Sequence, residues 1–283
     1  MAGLVQVYSG GVADDTQASA VREALEAVDA KRDLLGGDNP ETLDAMTRLA
    51  HAYKDAGDNE SARALLEEIL ASRTRTLGAD HIDTTRTEFE LGLVLKRLDD
   101  LFSARRVQER VLESSDRQYG PDSELSVRAA INLANTLRAL KRYDLELPLR
   151  ERVVEARRNS VGSQHMDFFR PLVDLATVNH NLHNRKLALD LNQIVLEGFE
   201  LNAVDRRTIL ALQFNIVIDL IRLKRAREAT EVFERAYNEA RLILAPDDPL
   251  RLQAEKQKPT MTFLGRHALR LSERRRRKLE RGT

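Results

Sequence analysis

At 283 residues the chain is long enough for about two domains of 150 residues, yet Ala, Leu, Glu and Arg dominate a composition with only 13 Gly, 7 Pro and no Trp, which points to one elongated helical body. Lys+Arg and Asp+Glu are both 45, so the net charge is zero although 32% of residues are charged. The absence of Cys excludes disulfides, thiolate metal sites and cysteine nucleophiles, no run approaches the ~18 apolar residues of a membrane span, and the start lacks the basic and apolar regions of a secretory signal; the expected compartment is the cytoplasm.

The first residues, 1–13, read as a flexible N-terminus, and 14–34 as a capping half-repeat in register with a second helix lacking its first. From there an internal period governs the chain. Gly36, Gly78, Gly120 and Gly162 stand 42 apart, and each is followed at fixed offsets by Asp38, Asp80, Asp122 or Gln164, then by Leu49, Leu91, Leu133 or Leu175. The next residue is small in every case: Ala50, Gly92, Ala134 and Ala176. A further small residue recurs at Ala62, Ala104 and Ala188, with Glu146 breaking the series. Four matches at one period identify a repeat architecture.

Each unit reads as two helices. In the first, Gly36–Gly37 ends one helix, Asp38 or Asn39 caps the next, and Pro40 suits the first helical position. Met46, Leu49, Ala50 and Tyr53 then fall on one helical face. Gly57–Asp58–Asn59 forms the turn, and Ala62, Leu65, Leu66, Ile69 and Leu70 make the stripe of the second helix. Five units follow in tandem over 35–246: 35–76, 77–118, 119–160, 161–201 and 202–244, the last after one deleted residue, since Ile216 lies 41 beyond Leu175. Pro148 and Pro171 predict local kinks. Residues 247–283 read as a capping helical segment with a basic tail.

The positions Leu49–Ala50, Tyr53 and Ala62, with Ala229, Phe233 and Ala236 in the last unit, resemble the tetratricopeptide repeat. The 42-residue period and its Leu-Gly-x-Asp linker resemble the longer variant of kinesin light chains, a type common in high-GC bacteria, for which 36 Arg against 9 Lys is a fitting composition. This resemblance implies an all-α fold, a right-handed α-α superhelix in which first helices line a concave groove that grips peptides. It implies a scaffold or adaptor for a protein or peptide partner, with no enzymatic activity, cofactor or metal.

On the groove arc two cationic ladders recur in register: Arg86, Arg128 and Arg170, and Lys54, Lys96 and Arg138. Asn132, Asn135 and Asn215 add two-way hydrogen bonding, while Phe89, Leu93 and Phe214 add apolar contact. Together they predict a groove favouring acidic or carboxylate-bearing segments. A merely solvated helix face accounts for the same cations, and both readings stand. The tail, Arg274, Arg275, Arg276, Arg277 and Lys278, offers an alternative contact with nucleic acid or another anionic partner, although a basic run without interleaved aromatics carries no base-reading logic. His180 and His183 share an HxxH spacing, but no nearby acid completes a zinc site. No phosphate-cradling Gly-rich loop and no nucleophile elbow occur.

Overall fold

The computed structural model describes the backbone of residues 2–280 and the side chains of residues 17–268, 270 and 273. It contains twelve helices and no strand among the described residues. Two compact units divide the chain, 1–142 and 143–283, so the third repeat is split at the turn between its helices.

In the first unit α1 (Ala2–Leu35), α2 (Pro40–Asp55), α3 (Asn59–Leu77), α4 (Ile82–Arg97), α5 (Leu101–Tyr119) and α6 (Glu124–Ala139) each pack on the next in chain order. α1 is assigned from Ala2, across most of the stretch expected to be flexible, and its side chains before residue 17 lie outside the described residues. Leu49, Leu91 and Val94 fill one continuous core with Leu66, Ile69, Val107 and Val111. Ala50, Ala62 and Ala104 are buried almost completely, because a small side chain at those points lets neighbouring helices close to packing distance. Each buried Leu contributes about 1.5–3 kcal/mol relative to exposure.

The second unit contains α7 (Tyr143–Val161), α8 (Met166–Asn181), α9 (Arg185–Leu201), α10 (Arg206–Arg222), α11 (Ala226–Ile243) and α12 (Pro249–Glu280). Here aromatics take over much of the core. Phe169 meets Phe168 and Phe199 edge-on, and Phe214 packs on Phe233 at 5.9 Å between ring centroids. The Phe169 ring fits only because residue 198 is glycine: a Cβ there would stand 2.2 Å from the ring. α7 and α8 run through Pro148 and Pro171 as single helices.

Helix starts are fixed by side-chain caps. Asn39, His81, Ser123, His165 and Asp205 each accept a backbone N–H of the first turn of α2, α4, α6, α8 and α10. Asp38, the other candidate cap, turns instead to Ser72 (2.6 Å) and Arg75; these hydrogen bonds hold its carboxyl below the usual carboxylate range.

The turns inside the hairpins share one geometry. Asp58, Asp100, Arg142, Asn184 and Arg225 donate their N–H to Tyr53, Leu95, Leu137, Asn179 and Leu220 at 2.8–3.0 Å, the six-to-one bond of a Schellman ending. The residue before each donor is left-handed: Gly57, Asp99, Lys141, His183 and Lys224, with φ between 57° and 81°. Only the first is glycine. Left-handed backbone costs an L residue about 1–2 kcal/mol, partly offset by the greater entropy that glycine loses on folding. Lys141→Gly and Lys224→Gly are each expected to stabilise the protein by about 0.5–1 kcal/mol, read as a rise in the urea midpoint at unchanged slope; a fall would refute the turn assignment.

Glu146, the break in the small-residue series, is fully buried on α7. Arg150 reaches its Oε1 through Nε at 3.0 Å and reaches Asp174 on α8 through a second nitrogen, also at 3.0 Å. Removing one member strands a buried charge, so Arg150→Ala is expected to cost about 3–5 kcal/mol. The double change Glu146→Leu with Arg150→Met should recover most of that loss in a denaturation experiment, and equal losses for both proteins would contradict the buried ion pair.

Candidate functional site

A well-formed recess lies in the first unit, on the side where α2, α4 and α6 expose their first-helix faces. Its volume is about 690 Å³, within the range of small-ligand and peptide-side-chain pockets. Asp44, Thr47 and His51 come from α2, Arg86, Phe89 and Glu90 from α4, and Glu124, Leu125 and Arg128 from α6. These positions recur three and four residues apart, the spacing that puts side chains on one helical face.

Arg73 braces the wall. This nearly buried side chain of α3 donates to Asp44 at 2.8 Å, to Thr87 Oγ1 at 2.9 Å and to the Asp83 carbonyl at 3.3 Å, tying α2 to α4. The Phe89 ring is 7% exposed, and the Arg128 guanidinium lies over it at 5.0 Å from the centroid, a cation–π arrangement. Phe89 is therefore a largely buried residue that lines the base of the recess. Arg86 stands at the rim, exposed and 3.6 Å from Asp83.

The second ladder is less cationic than its sequence suggests. Lys54 is held by Glu90 at 2.7 Å, with only 16% of its side chain exposed, and its carbonyl accepts from Arg97. Lys96 lines a separate hollow of about 260 Å³ with Lys54, Leu93 and Arg97. Asn132, Asn135 and Arg138 are half-buried on α6 and do not line the main recess. Four carboxylates, from Asp44, Asp83, Glu90 and Glu124, share the recess with Arg73, Arg86, Arg128 and His51. The surface is mixed in charge, with Arg86 and Arg128 its exposed cations.

In the second unit Arg170 and Asn215 line their own hollow of about 330 Å³, with Val173, Asp174, Phe199, Thr208, Ala211 and Leu212. Phe214 does not reach a surface; it is buried against Phe233, which corrects the expectation for that residue. The tail residues Arg274–Lys278 continue the backbone of α12, but their side chains lie outside the described residues.

One polar cluster escaped sequence reasoning. His180 Nδ1 lies 2.6 Å from Oδ1 of Asp219, a carboxylate buried to 1%. Asn192 donates to the other oxygen at 3.1 Å, and Arg222 contacts His180 Nε2. Asp219 is 39 residues away from His180 in the chain, so no local spacing announces it. The cluster is a hydrogen-bonded network linking α8, α9 and α10. No group of three metal-ligating side chains occurs among the described residues, and no helix among them is long and apolar enough to cross a membrane.

Family models described as tetratricopeptide repeat match residues 42–83 and 83–159. No curated protein matches the chain by sequence. Solved structures share its fold. A Podosopora anserina putative kinesin light chain with nearly identical TPR-like repeats superposes with a TM-score of 0.64 at 20% identity, covering 73% of this chain and 99% of that one. BtubC (BKLC) from P. vanneervenii gives 0.65 at 16% identity, covering 82% and 94%. YrrB, described as a TPR protein with an unusual peptide-binding site, gives 0.56 at 16% identity, covering 81% and 97%. Residues 42–159 are thus tetratricopeptide repeats, and the all-α fold in which they stand is that of the α-α superhelix.

Proposed function

We propose that the protein is a non-enzymatic scaffold that binds a protein or peptide segment in the first-unit recess, and that a carboxylate of the guest engages Arg86 and Arg128. The recess itself carries this reading. It is large enough to take side chains, its walls are fixed by the Arg73 bridges, and two exposed cations line it, Arg128 lying over the Phe89 ring. A rigid, pre-built pocket lowers the ordering cost of association. Guanidinium groups suit a carboxylate because their paired N–H donors match its two oxygens.

The neighbouring carboxylates sharpen the preference. Asp44 and Glu90 are already engaged by Arg73 and Lys54, so they repel a second anion less than free carboxylates would. Arg86 has only a loose partner in Asp83, and the Arg128 guanidinium is neutralised by no carboxylate contact within the described set, resting on a ring instead. The guest is therefore a mixed segment, apolar where it meets Leu125 and Phe89 and acidic where it meets the two arginines. The peptide-binding site described for YrrB, which shares this fold, supports the general role.

The test is fluorescence anisotropy with two labelled decapeptide pools, one enriched in Asp and Glu and one in Lys and Arg, each with interspersed Leu. The acidic pool is expected to bind the full chain more tightly, and Arg86→Ala with Arg128→Ala to weaken it by about ten- to a hundredfold, the range of one charged hydrogen bond at about 1.5–3 kcal/mol. Circular dichroism checks that the double variant folds. Tighter binding of the basic pool, or an acidic pool indifferent to the two substitutions, overturns the assignment.

A further inference from the structure

α12 differs from every other helix of its unit. It is 32 residues long where α11 has 18, and the two run antiparallel. Arg251 donates to the Leu244 carbonyl, Lys258 pairs with Glu234, and a Cβ at Gly265 would meet Thr230. Extending that register brings residues from about Arg270 onward past the first turn of α11, so the helix overhangs its neighbour.

The two sides of α12 have opposite chemistry. Leu250, Ala254, Met261 and Leu264 belong to the core shared with α11. With about 100° per residue, Lys256, Phe263, Arg266, His267 and Arg270 fall within about 120° of arc on the other side, and all five are exposed. None of Lys256, Arg266 and Arg270 has a carboxylate partner among the described residues, whereas Arg251 and Lys258, nearer the packed side, are paired with Glu255 and Glu234. Phe263 is 67% exposed, and its ring stacks on His267 with 6.3 Å between centroids and 9° between planes. The sequence continues this period into Arg274, Arg277 and Lys278. Residues 251–283 hold 11 Lys or Arg against 3 Glu, a net of +8.

We propose that this outer face of α12 binds single-stranded nucleic acid, its cations contacting phosphates and the Phe263–His267 pair offering a platform on which a base stacks. The charge selects a polyanion. The distribution of apolar side chains selects among polyanions: an amphipathic helix that inserts into an anionic membrane needs a wide apolar face, and α12 has already committed that face to α11. What remains is basic with one flat aromatic pair, the combination by which sequence-tolerant strand binders hold bases and backbone together. The aromatic interleaving that is missing from the Arg274–Lys278 run is supplied about two to four turns earlier in the sequence.

The experiment is anisotropy of a fluorescein-labelled twenty-nucleotide oligothymidine titrated with the full chain from 50 to 200 mM salt. Binding is expected with Kd between about 1 and 100 µM at physiological salt. Lys256→Ala, Arg266→Ala and Arg270→Ala together should reduce the slope of log K against log salt by about 2, at about 0.7 per phosphate contact. Phe263→Ala should weaken binding about five- to a hundredfold while leaving the slope unchanged. Arg86→Ala with Arg128→Ala should leave this binding as it is, which separates the outcome from that of the recess. Absence of binding, an affinity indifferent to Phe263→Ala, or capture by phosphatidylserine vesicles in place of the oligonucleotide overturns the proposal.

Discussion

Close approach of neighbouring helices is the constraint from which the rest of the molecule follows. A helix carrying a single apolar stripe has no stable place in water until another helix covers that stripe, and within each unit the cover comes from helices adjacent in the chain. The contact closes because its centre is occupied by Ala50, Ala62, Ala104, Ala188 or Ala229, each with essentially no exposed surface. Larger leucines and valines then interlock around them. Since each helix depends on its neighbours along the chain, stability is distributed along an array rather than concentrated in one centre, and the outward faces of the first helices are released from packing duty.

That release explains why the recess lies where it does. In α4 the positions facing inward are Leu91, Val94 and Leu95, all buried, while Arg86 and Glu90 point to the other side. The faces are nonetheless engaged with one another. Lys54 crosses to Glu90, Arg73 spans Asp44 and Thr87, and Arg128 crosses from α6 to the Phe89 ring. These contacts between successive hairpins stiffen the lining and consume much of its charge. A net charge of zero over 90 ionisable acidic and basic residues is thus expressed locally as pairing, and the few cations left without a carboxylate become the informative ones.

How much of this was legible in the sequence depends on whether a property is local or shared. The period of 42, the cap at Asn39 and the buried face of each helix are local and readable, because a capping side chain acts two or three residues away and an apolar stripe repeats every helical turn. The two compact units were not foreseen, nor was α1 as a helix assigned from Ala2. At the candidate site, Arg86 and Arg128 line the recess, but the burial of Phe89 and the Lys54–Glu90 pair depend on residues from two different hairpins. Separation along the chain hides such pairs: Lys54 and Glu90 are 36 apart, His180 and Asp219 39 apart. The small-residue break at Glu146 was visible, whereas its resolution by Arg150 and Asp174 required the third dimension.

The left-handed turn residues show the same division between what a repeat requires and what a particular unit does with it. All five hairpins make the same backbone bond, yet the residue that bends the chain is Gly57 once and Asp99, Lys141, His183 or Lys224 elsewhere. At Asp99, His183 and Lys224, packing of the two helices on either side holds the turn in place even where the side chain opposes it, so tertiary contact, not local preference, decides the geometry there. The linkers between hairpins are stricter: Gly78 and Gly120 combine φ near 90° with ψ near 160°, a region open essentially to glycine alone, and the glycine is kept there. At Ala203, where the fifth unit has lost one residue, φ is 51° and the glycine is gone. Glycine is therefore retained where the backbone conformation excludes every other residue and is replaced where packing tolerates the strain, which is why the linker glycines, rather than the turn residues, made the period visible.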